Sequence, residues 1–172
     1  VGKHFFRYRY DYRQEWLKFT KALAVEGQAQ EVGQHVIRGL ADMVERPAGA
    51  LWLRDAAGQC YVQAVRWNSP EVREETRADA SLVAFLGESG WVVNMEEYRH
   101  MPGRYSGVIF PDWLAALPNA WLIVPLTTGR ELIGFVLLYT ARTSLDVDWE
   151  VNDLLKTAGR QAAGFIAQMQ AT

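Results

Sequence analysis

The sequence predicts an α+β domain: a central antiparallel sheet, with N- and C-terminal helices on one face and a lid of short helices and loops on the other. Three observations lead there. Residues 121–139, WLIVPLTTGRELIGFVLLY, hold two apolar runs, 121–126 and 132–139, around the short polar segment 127–131, where Gly129 supplies the positive-φ freedom of a hairpin turn. Both alternating sets in this hairpin are apolar: Trp121, Ile123 and Pro125 against Leu122, Val124 and Leu126, then Ile133, Phe135 and Leu137 against Val136 and Leu138. Neither face can then be left to water. Finally, helix-period patterns before and after the strands supply a cover for one face, and an irregular, ring-rich segment at 96–118 supplies one for the other.

Length and composition fit one soluble domain with flanking elements, since 172 residues with 49% hydrophobic and 22% charged is ordinary for a globular core. The formal charge is −2, but it is unevenly spread. Residues 3–21 carry Lys3, Arg7, Arg9, Arg13, Lys18 and Lys21 against Asp11 and Glu15, a balance of +4 that leaves −6 for the rest. No apolar run approaches the roughly 18 residues that cross a bilayer, and no signal peptide is evident. The single cysteine, Cys60, can form neither an internal disulfide nor a cysteine-rich zinc site and fits a reducing compartment. The expected location is cytoplasmic.

Along the chain, KHFFRYRYDYRQEWLKFTKALA interleaves basic and aromatic residues and then reaches helical spacing at Tyr12, Trp16, Phe19 and Leu23. Its stripe suits packing on the domain or on a second subunit. Contact with an anionic membrane surface is the next reading and nucleic acid the last, since no nucleic-acid motif accompanies it. Val36, Ile37, Leu40 and Val44 mark a second helix, stopped by Pro47 and Gly49. Strands are expected at 50–54 and 60–67 around the turn DAAGQ, then an exposed excursion at 68–77, a short helix at 80–86 and a short strand at 91–95. Asp146 or Asp148 can cap the last helix. The resulting segments are 1–27, a linker or signalling helix; 28–145, the core; and 146–172, the C-terminal helix.

This order of elements resembles a GAF domain, the small-ligand sensor module of bacterial signalling proteins. The most specific stretch is IVPLTTGRELIGFVLLY, similar to the family's "PL…G…GVL" strand pair through Pro125, Leu126, Gly129, Gly134 and Leu137 or Leu138. GALWLRD at 49–55 and DLLKTAGRQAAGFI at 153–166 fit as well, and the resemblance spans about residues 28–170. A narrower resemblance begins at Lys3: KHFFRYRYDYRQEWLKF is similar to the segment preceding the GAF domain in membrane-bound sensor histidine kinases of the PEP-CTERM/exosortase system. It implies a parent protein anchored in the bacterial inner membrane, with a phosphotransfer helix pair and an ATP-dependent kinase domain beyond this chain. His4, His35 and His100 lack the acidic residue and turn of a phosphoacceptor box, and no glycine-rich ATP loop occurs. No catalysis is expected of this chain.

Other chemistry fares no better. The histidines have no Cys or carboxylate partners at metal-ligand spacing, and no nucleophile elbow is present. Against the GAF families with known ligands, one cysteine argues against methionine-sulfoxide reductase activity, the cyclic-nucleotide signature is missing, and Cys60 and His100 are not placed for a covalent bilin. His100 is the sole candidate axial ligand for haem. The cofactor is therefore unknown, with none evident.

What remains is a candidate ligand pocket between lid and sheet: Trp67, Trp91, Tyr98, Tyr105, Phe110 and Trp113 as aromatic lining, with Asn94, Arg99 and Arg104 as polar groups. The same rings can instead fill the space as a second core, which would make the domain a structural dimerisation spacer. A candidate dimer stripe, Val151, Leu155, Ala158, Ala162, Phe165 and Met169, follows heptad spacing and predicts a homodimer through the terminal helices. The expected partners are thus a second copy, a small-molecule ligand and the parent's kinase domain, with no nucleic acid.

Overall fold

The computed structural model describes residues 29–43, 48–129, 131–139 and 149–171. The expected helix within 1–27, the stop at Pro47 and the caps at Asp146 or Asp148 lie outside the described residues. Within them the chain runs α1 (Ala29–Met43), β1 (Gly49–Arg54), β2 (Cys60–Trp67), β3 (Thr76–Arg77), α2 (Ser81–Ser89) and β4 (Val93–Asn94). Then come α3 (Met95–His100), a 3-10 turn (Pro102–Tyr105), α4 (Asp112–Ala116), β5 (Ala120–Thr128), β6 (Glu131–Tyr139) and α5 (Trp149–Ala171). The strands make one sheet in the order β3-β2-β1-β6-β5-β4, each neighbour antiparallel, so β4 is an edge.

The hairpin forms where expected but turns more tightly. Thr128 pairs with Glu131, so the strands extend further toward the turn, where Gly129 takes a φ of +62°. Thr127, assigned to the turn by its polarity, is buried inside β5.

Three register shifts correct the simple alternation. One falls between Ala120 and Leu122, so that Trp121 is an extra residue and joins Leu122, not Ile123, on the face covered by α1 and α5. Another, between Leu126 and Thr127, does the same for Ile133, which joins Val136 and Leu138. In β2 the shift opposite Leu51 and Trp52 skips Ala64. Tyr61 therefore faces the lid, whereas Val65 and Trp67 face the helices. An inserted residue inverts the two-residue side-chain period beyond it, which no hydrophobic pattern announces.

The two faces carry separate cores. On one, Val32, Val36, Ile37 and Leu40 of α1 and Leu155, Ala158, Ala162 and Ile166 of α5 pack on Leu51, Val65, Val124, Val136 and Leu138. α5 lies directly on β5, because a Cβ at Gly159 would sit 2.5 Å from the Pro125 carbonyl oxygen. On the other face, Leu82 and Leu86 of α2, Met95, Tyr105, Phe110 and Leu114 pack on Trp52, Ile123, Phe135 and Leu137. This is the α+β layering that the sequence predicts.

The expected dimer stripe is divided by this packing. Leu155, Ala158 and Ala162 are fully buried within the chain's own helix-side core, whereas Phe165 is half-buried at its margin. The side chains of Val151 and Met169 lie outside the described residues. The spacing of 4-3-4 serves any long helix on a flat surface, so it does not by itself require a second helix.

Candidate functional site

The site is assembled at the β4 edge. α2 ends on Gly90, and the chain then passes Trp91 and Val92 into two strand residues before α3 begins. The turn into α3 is fixed by Asn94, whose Oδ1 accepts from the N–H groups of Glu96 (3.0 Å) and Glu97 (3.2 Å), as an N-cap residue does. Glu97 is thereby held over the 3-10 turn, where its Oε1 accepts from the Tyr105 hydroxyl at 3.0 Å and its Oε2 from Arg104 Nη1 at 3.1 Å. The Tyr105 oxygen in turn accepts from the Asn94 N–H at 3.2 Å. A short closed network thus joins the edge strand, α3 and the 3-10 turn.

Burial, with a further push from the Glu97 carboxylate, raises Tyr105 to about 12. Burial raises Tyr139 to about 12 as well. Stability from these two groups is fully present below their ordinary value of 10 and is lost as pH rises toward 12, because the unfolded chain ionises first. Tyr105→Phe is expected to lower stability by about 1–2 kcal/mol at neutral pH, since it removes a buried hydroxyl bonded on both sides. In chemical denaturation followed against pH, it should also flatten the alkaline limb; an unchanged limb would show that Tyr105 is not buried as described.

Beside this network lies a cleft of about 700 Å³, lined by Trp91, Val92, Asn94, Glu97, Arg104, Tyr105, Asn152, Asp153 and Lys156. One wall is lid and the other is the beginning of α5. Lys156 lies across the end of α2, its Cε 3.4 Å from where a Cβ on Gly90 would stand.

The domain of a phosphoenolpyruvate-protein phosphotransferase from Coxiella burnetii superposes on this chain with a TM-score of 0.71 at 15% identity, over 94% of this chain and 95% of that one; it is a GAF domain. The chain has the GAF fold. A GAF domain from the Acinetobacter phosphoenolpyruvate-protein phosphotransferase gives 0.68 at 18% identity, covering 92% of this chain and 94% of that one. Residues 122–287 of a methyl-accepting chemotaxis protein give 0.64 at 16%, covering 92% and 99%. No protein-family model matches the sequence, and no curated protein matches it.

Of the nine expected pocket residues, this GAF fold brings Trp91, Asn94, Arg104 and Tyr105 into the cleft. Tyr98 and Phe110 stack into the lid interior, their centroids 4.0 Å apart. Trp113 stacks on Trp52 at 5.4 Å. Trp67 is on the opposite face, under Arg38 at 5.0 Å, because of the shift in β2. Arg99 is exposed and directs Nη2 toward the Leu117 carbonyl at 3.5 Å, so it does not join Arg104 in a clamp. His100, the haem candidate, is exposed, its Nδ1 2.8 Å from the Glu96 carbonyl oxygen, and so does not point to an interior ligand.

Sequence reasoning missed Val92, Glu97, Asn152, Asp153 and Lys156. Glu97 had a legible signal, since it stands three residues after a capping Asn. The α5 residues had none: they lie on the polar side of a helix whose apolar stripe carries the periodic signal, and only the tertiary packing brings them beside the lid.

The lid–sheet interior is densely ringed. Trp52 lies against Trp113 on one side and, nearly parallel at 7° and 5.6 Å, against Phe135 on the other. The indole N–H groups of Trp52 and Trp113 are buried without an acceptor, as is the Tyr139 hydroxyl. A buried donor left unpaired costs about 1–3 kcal/mol.

Proposed function

We propose that this domain is the non-catalytic sensory and signal-relay domain of a two-component sensor histidine kinase, of the kind associated with the PEP-CTERM/exosortase system. The observation that carries the reading is the shared cleft, whose two walls are the lid and the first turns of α5. A small molecule or partner seated there touches the lid and the C-terminal helix in one contact. It shifts the equilibrium between lid and α5 arrangements only by its difference in affinity for them. The likeness to GAF domains of phosphotransferases and to a chemotaxis protein supports a place in signalling. No helix among the described residues is long and apolar enough to cross a membrane. The proposed location is the cytoplasmic side of an inner-membrane-anchored parent, as a homodimer joined through the terminal helices.

The relay is tested by plugging the cleft. In Asn152→Trp, an indole fills space between α5 and the 3-10 turn, and hydrogen exchange should slow both in 95–105 and several turns along α5. Protection confined to the substituted turn would sink the relay. A second reading, a structural dimerisation spacer without a ligand, is favoured by the filled ring stack of Trp113, Trp52 and Phe135. It predicts that the plug changes stability but not exchange in the distal half of α5.

A further inference from the structure

The cleft has an unusual charge arrangement. On the lid wall, Glu97 and Arg104 pair with each other at 3.1 Å and offer little net charge. On the α5 wall, Asp153 and Lys156 stand three residues apart on one helix face, a spacing that ordinarily lets opposite charges meet. Among the described residues neither makes a side-chain hydrogen bond or an ion pair. Both line the cleft, one carboxylate and one ammonium that no described residue pairs. Trp91 lines it too and is 55% exposed, held edge-on by Phe85 at 5.9 Å, 86° between planes.

We propose that this cleft takes a small zwitterion of the α-amino-acid class, its ammonium group on Asp153, its carboxylate on Lys156 and its apolar part against Trp91 and Val92. The proposal rests on the cleft being the sensory site. A simple anion would meet Lys156 but also Asp153, and a simple cation the reverse, so either gains one contact and suffers one repulsion. A molecule bearing both charges on a short frame answers both. The Asn152 side-chain amide is available to either end.

Titration calorimetry with two matched sets of probes tests this: L-valine with isobutylamine and isovalerate, and L-phenylalanine with phenethylamine and hydrocinnamate. The expected result is that at least one amino acid binds at least about tenfold more tightly than its matched amine and acid. Lys156→Gln should remove the amino acid's advantage over the amine, and Asp153→Asn its advantage over the acid. Both residues stand at the cleft, outside the cores, so the fold should survive each change. Equal binding of an acid or amine alone, insensitivity to both substitutions, or no binding by either amino acid would overturn the proposal. Because the Asn152→Trp exchange experiment needs no ligand, failure of the zwitterion and failure of the relay are separately visible.

Discussion

Gly134→Ala should unfold the domain or lower its stability by at least about 3 kcal/mol, one of the two largest effects expected of any single substitution here. Gly134 lies in β6 between Leu53 of β1 and Leu126 of β5. A Cβ there would stand 2.1 Å from the Trp52 carbonyl oxygen, 3.2 Å from its carbonyl carbon and 2.9 Å from Leu53 Cδ2. The leucine can rotate, but the peptide cannot move without parting β1 from β6 at the centre of the sheet. It would also carry Trp52, whose ring is held between Trp113 and Phe135. Chemical denaturation followed by circular dichroism measures this directly. A loss below about 1 kcal/mol would mean that the two strands are not in this register.

That glycine was legible in the sequence as part of the hairpin, although its reason was not. The PLTTGRELIG stretch reads as paired strands because both alternating sets are apolar, and this alone demands cover on two sides. What could not be read is which residue faces which cover. Trp121, Ile133 and Trp67 each change face at or beyond a register shift, and a one-residue insertion leaves the composition of the strand untouched. The lid was legible as an irregular ring-rich cover, but α3 and α4 are 6 and 5 residues long. Neither completes the two helical turns needed for a period to show.

The candidate site divides along the same line. Trp91, Asn94, Arg104 and Tyr105 were legible because polar and aromatic side chains gathered on a segment broken by Pro102 and Gly103 invite a functional reading. Asp153 and Lys156 sit in an otherwise ordinary helix, where charged residues on the outer side are expected of any soluble protein. Only the approach of α5 to the edge strand gives them a role. The approach depends on small residues: Ala158, Gly159 and Ala162 let the helix backbone come close to β5, and Asn152, Asp153 and Lys156 then line the same cleft as Val92 and Asn94.

Leu155→Asp is therefore expected to destabilise the domain by more than about 3 kcal/mol, not simply to separate two subunits. Leu155 is fully buried with Ala158 and Ala162 in the core between α5 and the sheet. A carboxylate there either takes up a proton or pulls the helix from the sheet, and both outcomes cost folding free energy. Phe165→Asp, at the half-buried margin of the same helix, should cost roughly 1–2 kcal/mol and leave the sheet folded. The pair separates the two uses of the heptad spacing. If α5 serves its own sheet first and a partner through its outer flank, Leu155→Asp loses cooperative unfolding in denaturant, while Phe165→Asp retains it and shifts sedimentation toward monomer. A Leu155→Asp protein with an unchanged denaturation midpoint and a weakened dimer would instead place that face of the helix against the partner, and the packing of α5 on β5 would have to be abandoned.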